Sequence, residues 1–125
     1  MTDFAKTEQN LTALGYTVKT FATGAEAAAY LNGAIDGTTV GIGGSMTIQA
    51  MGLSERLSKH NEVIWHWEQG PDARIRAKKE STVYILSANA AAETGQIINI
   101  DGSGNRLSES LFGPKRVYYV IGKNK

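Results

Sequence analysis

The run Thr39-Val-Gly-Ile42 reads as a short strand that breaks at once into Gly43, Gly44 and Ser45, after which Ile48, Met51, Leu53 and Leu57 recur at helical spacing. Strand, glycine-rich turn and helix in that order form a unit in which backbone N–H groups and a helix N-terminus face an anion. The same alternation extends along the whole chain. Residues 2 to 14 carry Phe4, Leu11 and Leu14 at helical positions before Gly15 stops them, and Tyr16 to Phe21 alternates as a strand. Thr23 is placed to cap an alanine-rich helix from Gly24 to about Leu31, Thr38 to Ile42 is the next strand, and a helix is predicted over 46 to 59. Glu62 to Trp67 reads as a strand, Pro71 starts a short helix through Lys79, and strands follow at 82 to 87 and 96 to 100. A helical turn from Arg106 to Phe112 ends at Gly113-Pro114, and Arg116 to Ile121 is a final buried strand. Such alternation predicts a mainly parallel, Rossmann-like α/β sheet with helices on both faces.

Sheets of that kind bind ligands at the carboxyl ends of their strands. The polar residues of this chain fall there. Gly43, Gly44 and Ser45 follow one strand, His66 lies at the end of another, Ser87 and Asn89 follow a third, and Lys123 and Asn124 follow the last. Between Ser87 and Arg106 the chain is rich in small, polar and turn-forming residues, among them Asn99, Asp101, Gly104, Asn105 and Arg106. These residues together form the predicted ligand-binding set. For Asp101-Gly102 alone a hairpin turn is the simpler reading, and Ser45 has two roles open to it, helix cap or ligand contact.

Length and composition narrow the field. The 125 residues, 42% of them hydrophobic, suit a single domain with one core. Thirteen basic residues against 12 acidic ones leave a formal charge of +1, with no global drive toward nucleic acid or an anionic membrane. Without cysteine, the sequence offers no disulfide and no thiolate for zinc or an iron–sulfur cluster. No apolar run approaches the roughly 20 residues of a membrane span, and the first residues lack the order of a signal peptide. A cytoplasmic protein that holds no metal or cofactor by itself is expected.

Five segments taken together carry a resemblance: Gly41-Ile-Gly-Gly-Ser45, Ser87-Ala-Asn-Ala90, Gly95-Gln-Ile-Ile-Asn-Ile-Asp-Gly-Ser-Gly-Asn-Arg106, Phe112-Gly-Pro-Lys-Arg-Val117 and Gly122-Lys-Asn-Lys125. From about residue 39 to the end the chain resembles the LUD domain of lactate-utilisation proteins, and His66-Trp67 followed by Gly70 fits the same pattern. The resemblance implies a fold related to ribose-phosphate isomerases, glucosamine-phosphate deaminases and CoA transferases. It also implies a part in oxidising lactate to pyruvate beside iron–sulfur partner subunits. Members of the family usually continue past the Asn124-Lys125 that closes this chain, so a short or C-terminally truncated member is expected. The Ser87 and Asp101 turns are similar in placement to catalytic loops of related sugar-phosphate isomerases. Asn89 stands where those enzymes have an aspartate, and Asp101 where they have a lysine, which argues against isomerase chemistry at these positions.

Other candidates carry less. Asp101-Gly-Ser-Gly-Asn105 begins like a calcium loop, but Arg106 and Phe112 stand where glycine and glutamate are needed. Glu93 reads as a general base or nucleophile, or as a solvated turn residue. His66 reads as an acid–base group or an ordinary hydrogen-bonded histidine, and His60 as a solvated loop residue without the ligand spacing of a metal site. Trp65 and Trp67 share one strand face, for core packing or a partner surface. Arg74, Arg76, Lys78 and Lys79 read as a solvated basic helix end complementing the helix dipole. Three functions fit: a subunit that binds a small carboxylate or phosphate and works with iron–sulfur subunits, an independent transferase- or isomerase-like enzyme using Glu93 or His66, and a non-catalytic assembly module whose glycine loop is only structural; an oligomer is compatible with each.

Overall fold

The computed structural model of the chain describes residues 4–88, 90–91, 97–98 and 115–122. Its centre is a parallel sheet of β1 (Thr39–Ile42), β2 (Glu62–Trp65), β3 (Val83–Leu86) and β6 (Arg116–Tyr119), in the order β2-β1-β3-β6. A short antiparallel pair, β4 (Ala90–Ala91) and β5 (Ile97–Ile98), stands apart from it. The helices are α1 (Phe4–Ala13), α2 (Gly24–Ala34), α3 (Met46–Ala50), α4 (Leu53–Leu57), α5 (His66–Gln69) and α6 (Ala73–Glu80).

Alternation along the strands sorts side chains onto two faces. Val40 and Ile42, Val63 and Trp65, and Val83 and Ile85 pack on one face with Ala28 and Leu31 of α2, Ile48 of α3, and Leu53 and Leu57 of α4. Ile64, Tyr84 and Leu86 pack on the other with Ala73 and Ala77 of α6. Helices therefore cover both faces, the arrangement that the alternating sequence predicts. Gly41 belongs to the second face and pairs in register with Tyr84, which is 1% exposed. A Cβ at Gly41 would overlap Ser81 Oγ and stand 2.8 Å from Tyr84 Cδ1, so a glycine lets α6 and Tyr84 close onto β1.

Several predicted boundaries move, each for a local reason. Residues 16–21 form no strand: Val18 and Phe21 are half-buried, but the residues around them are exposed, and alternation without a neighbouring edge makes no sheet. The helix predicted over 46 to 59 is two helices, because Gly52 takes the left-handed conformation at φ +63 and ends α3 before α4 begins. β2 stops at Trp65, where the Gln69 side chain turns the chain back. Its amide nitrogen donates to Val63 O at 2.9 Å and its carbonyl accepts from Trp65 N at 3.3 Å, so it covers the outer edge of the sheet as a peptide group of another strand would. β6 is half-buried instead of buried because it lies at the other edge.

The basic stretch is placed in part as the sequence predicts, and His60 differently. Arg76 and Lys79 are exposed and Lys79 lies in the last turn of α6, where a cation complements the helix dipole, whereas Arg74 is half-buried in the first turn; Arg76 pairs with Glu62 at 3.0 Å and Glu80 at 3.1 Å. His60 is half-buried, with Nδ1 2.8 Å from Asp36 Oδ1 and Nε2 2.8 Å from Asn32 Oδ1. Next to it, Asn61 donates to Ile35 O and Leu57 O and accepts from Thr38 N, tying together the elements that enter the sheet at its amino end.

Candidate functional site

The strand order locates the crevice. From β1 the chain passes through α3 and α4 to β2 on one side, then returns across the sheet to β3 on the other. The carboxyl ends of β1 and β3 thus flank the point where the winding reverses, the place where ligands enter sheets of this type. Gly43, Gly44 and Ser45 leave β1 there, and Ser87 leaves β3.

Pairing continues past the strand ends, with Gly43 N donating to Ile85 O at 2.9 Å and Val120 N to Leu86 O at 2.8 Å. Extending the register by two residues aligns Gly44 with Ser87 on neighbouring strands, whose axes lie about 4.8 Å apart. Ser87 is 2% exposed and its Oγ is buried without a hydrogen-bond partner. A buried hydroxyl left unpaired costs about 1–3 kcal/mol, so its position at the crevice is informative. Ser45 is buried too, and its Oγ accepts from Ile48 N at 3.2 Å, which makes it the cap of α3.

Trp67 closes the other flank. Its ring stacks on Trp65, with centroids 5.4 Å apart and planes 21° apart. A Cβ at Gly44 would lie 2.8 Å from Trp67 Nε1, 3.1 Å from Cε2 and 3.2 Å from Cζ2. Gly44 is not held in a left-handed conformation, so its lack of a side chain matters for the close approach of the indole. Two side chains anchor the short helix that carries Trp67: Gln69, bonded to β2, and Glu68, whose carboxylate accepts from Ser54 Oγ on α4. In the sequence Trp67 reads as packing or partner surface. Its place over Gly44 emerges only from the pairing of β1 with β2.

His66, predicted at a strand end, opens α5 and is half-buried, with its ring edge-on to Trp67 at 6.4 Å. Of the predicted ligand-binding set, the structure brings Gly43, Gly44, Ser45 and Ser87 to one end of the sheet. Asn89, Glu93, Asn99, Asp101, Gly104, Asn105, Arg106, Lys123 and Asn124 lie outside the described residues. Among the described residues no three His, Cys, Asp or Glu side chains are grouped to hold a metal ion, and no helix is long and apolar enough to cross a membrane.

A hollow of about 450 Å³ lies at the opposite end of the sheet, lined by Thr38, Thr39, Lys59, His60 and Asn61 among others. The polar groups of His60 and Asn61 are engaged in bonds between loops, as expected of a structural junction. The mouth of β1 and β3 holds Ser87 Oγ, a buried hydroxyl without a partner, at the point where the winding reverses, whereas Ser81 Oγ, also buried and unpartnered, lies against Gly41 inside the fold. That mouth is the better ligand site on those grounds.

Comparison with known proteins gives one result. The model of one family, the LUD domain, matches residues 4–125, so the likeness extends to α1 and α2 as well as to the motifs after residue 39. No curated protein and no solved structure matches the chain.

Proposed function

The chain belongs to the LUD domain family, and from that premise we propose that it serves lactate utilisation as a subunit or accessory protein, binding a small anionic ligand at the mouth of β1 and β3. The observation that carries the ligand site is Ser87, a buried hydroxyl without a partner beside the glycine turn. A carboxylate or phosphate oxygen would satisfy it. Lactate becomes pyruvate by losing two electrons and two protons, and those electrons need an acceptor. The sequence has no cysteine, so its side chains do not fit an iron–sulfur cluster held by thiolates. The electrons are therefore assigned to iron–sulfur partner subunits.

The test is lactate-dependent reduction of an artificial electron acceptor by the purified chain, measured alone and with the partner subunits added. No reduction above the protein-free rate is expected from the chain alone, and restored turnover with the partners. Turnover by the isolated, cofactor-free chain that disappears in Gly44→Val would overturn the assignment.

A further inference from the structure

We propose that the indole N–H of Trp67 is a side-chain donor to a carboxylate held at the mouth of β1 and β3, with the Ser87 hydroxyl on the opposite flank of the same ligand. This rests on the anion-site reading above and adds the residue that selects the ligand's charged end.

In a parallel sheet, residues aligned across strands point to the same face. Trp65, Ile42, Ile85 and Tyr118 are aligned in this way, and all four pack in or against one core cluster. Two residues further along, the same register gives Gly44, Ser87 and Val120, and Trp67, on α5 just beyond the end of β2, lays its ring against Gly44. Gly44 leaves a gap in that row. The indole edge bearing Nε1 lies over the Gly44 position, and Ser87, whose Oγ is buried and unpartnered, is aligned with Gly44 on the neighbouring strand. Trp67 is 42% exposed, so its ring is within reach of a ligand arriving from solvent.

The chemistry of these two groups narrows the ligand. An indole N–H donates and cannot accept, and the ring edge is the positive end of the aromatic quadrupole. That edge suits a carboxylate oxygen and disfavours an ammonium group. A serine hydroxyl both donates and accepts, so it can hold either the second carboxylate oxygen or an oxygen on the adjacent carbon. If the ring only covered Gly44 as packing for Trp65, any aromatic ring of similar area would serve there.

Trp67→Phe separates the two roles, because it keeps an aromatic ring and removes the N–H. Calorimetric titration with pyruvate and with L-lactate is expected to show affinity weaker by about tenfold, with a melting temperature near that of the parent chain. The chain has two tryptophans, so the parent protein has two indole N–H resonances to follow. The Trp67 signal, assigned by its loss in Trp67→Phe, should shift on titration with either acid while that of the buried Trp65 stays. A Trp67 signal that stays still at saturating ligand, or Trp67→Phe binding as tightly as the parent while Gly44→Val has lost binding, would overturn the role of Trp67 and leave the anion site standing. Absence of binding of both acids to the parent protein would overturn the site and this inference together.

Discussion

Gly41→Val is expected to destabilise the fold by about 3 kcal/mol, near the upper end of what overpacking a core usually costs. The new side chain would meet Ser81 Oγ and the ring of Tyr84, which is buried between β1, β3 and α6 and has no open space to move into. In a chain of this size the loss should lower the melting temperature by roughly 10 °C. Gly33→Ala in α2 is the control, since a Cβ there meets nothing within 4 Å and should leave stability unchanged or raise it slightly. Urea unfolding of the two variants measures both. Equal effects would mean that Tyr84 does not close on β1 as described.

Gly44→Val is expected to act on the ligand instead of the fold. The added side chain would stand within 3.2 Å of three atoms of the Trp67 indole, and that half-exposed ring can move toward solvent at the loss of its stacking on Trp65, about 0.5–1.5 kcal/mol. The displaced ring and the valine together would fill the gap beside Ser87. Binding of pyruvate or L-lactate should then fall by more than about tenfold, a change above 1.4 kcal/mol, while the unfolding midpoint moves by much less than in Gly41→Val. Titration of the folded variant decides it. Unchanged affinity would show that the ligand does not approach β1 at Gly44.

Much of this arrangement was readable from short-range chemistry. Thr23 and Ser45 stand before helical segments and do cap them, accepting from Glu26 N and Ile48 N at 3.2 Å each. Val40, Ile42, Val83 and Ile85 mark the central strands because β-branched and apolar residues cluster there. What depends on long-range pairing was not readable. Nothing in the alternation of Tyr16 to Phe21 reveals that no strand edge lies beside it. The Gln69 side chain ends β2 by capturing two of its backbone groups, an interaction that no helix or strand propensity registers. Trp67 and Gly44 are 23 positions apart, and only the parallel register of β1 with β2 brings them face to face. Of the candidate site, the glycine turn and Ser87 were readable as residues following strands. Their adjacency follows from the order β2-β1-β3-β6, which the sequence pattern leaves open.

The most direct test of the central claim is a map of backbone amide shifts from ¹H–¹⁵N spectra as pyruvate or L-lactate is added to the intact chain. The changes are expected to concentrate on Gly43, Gly44, Ser45 and Ser87, with little movement at Thr38, Lys59 and Asn61. Shifts centred on Thr38, Lys59 and Asn61, or spread evenly over the chain at every ligand concentration, would contradict a small-anion site at the mouth of β1 and β3.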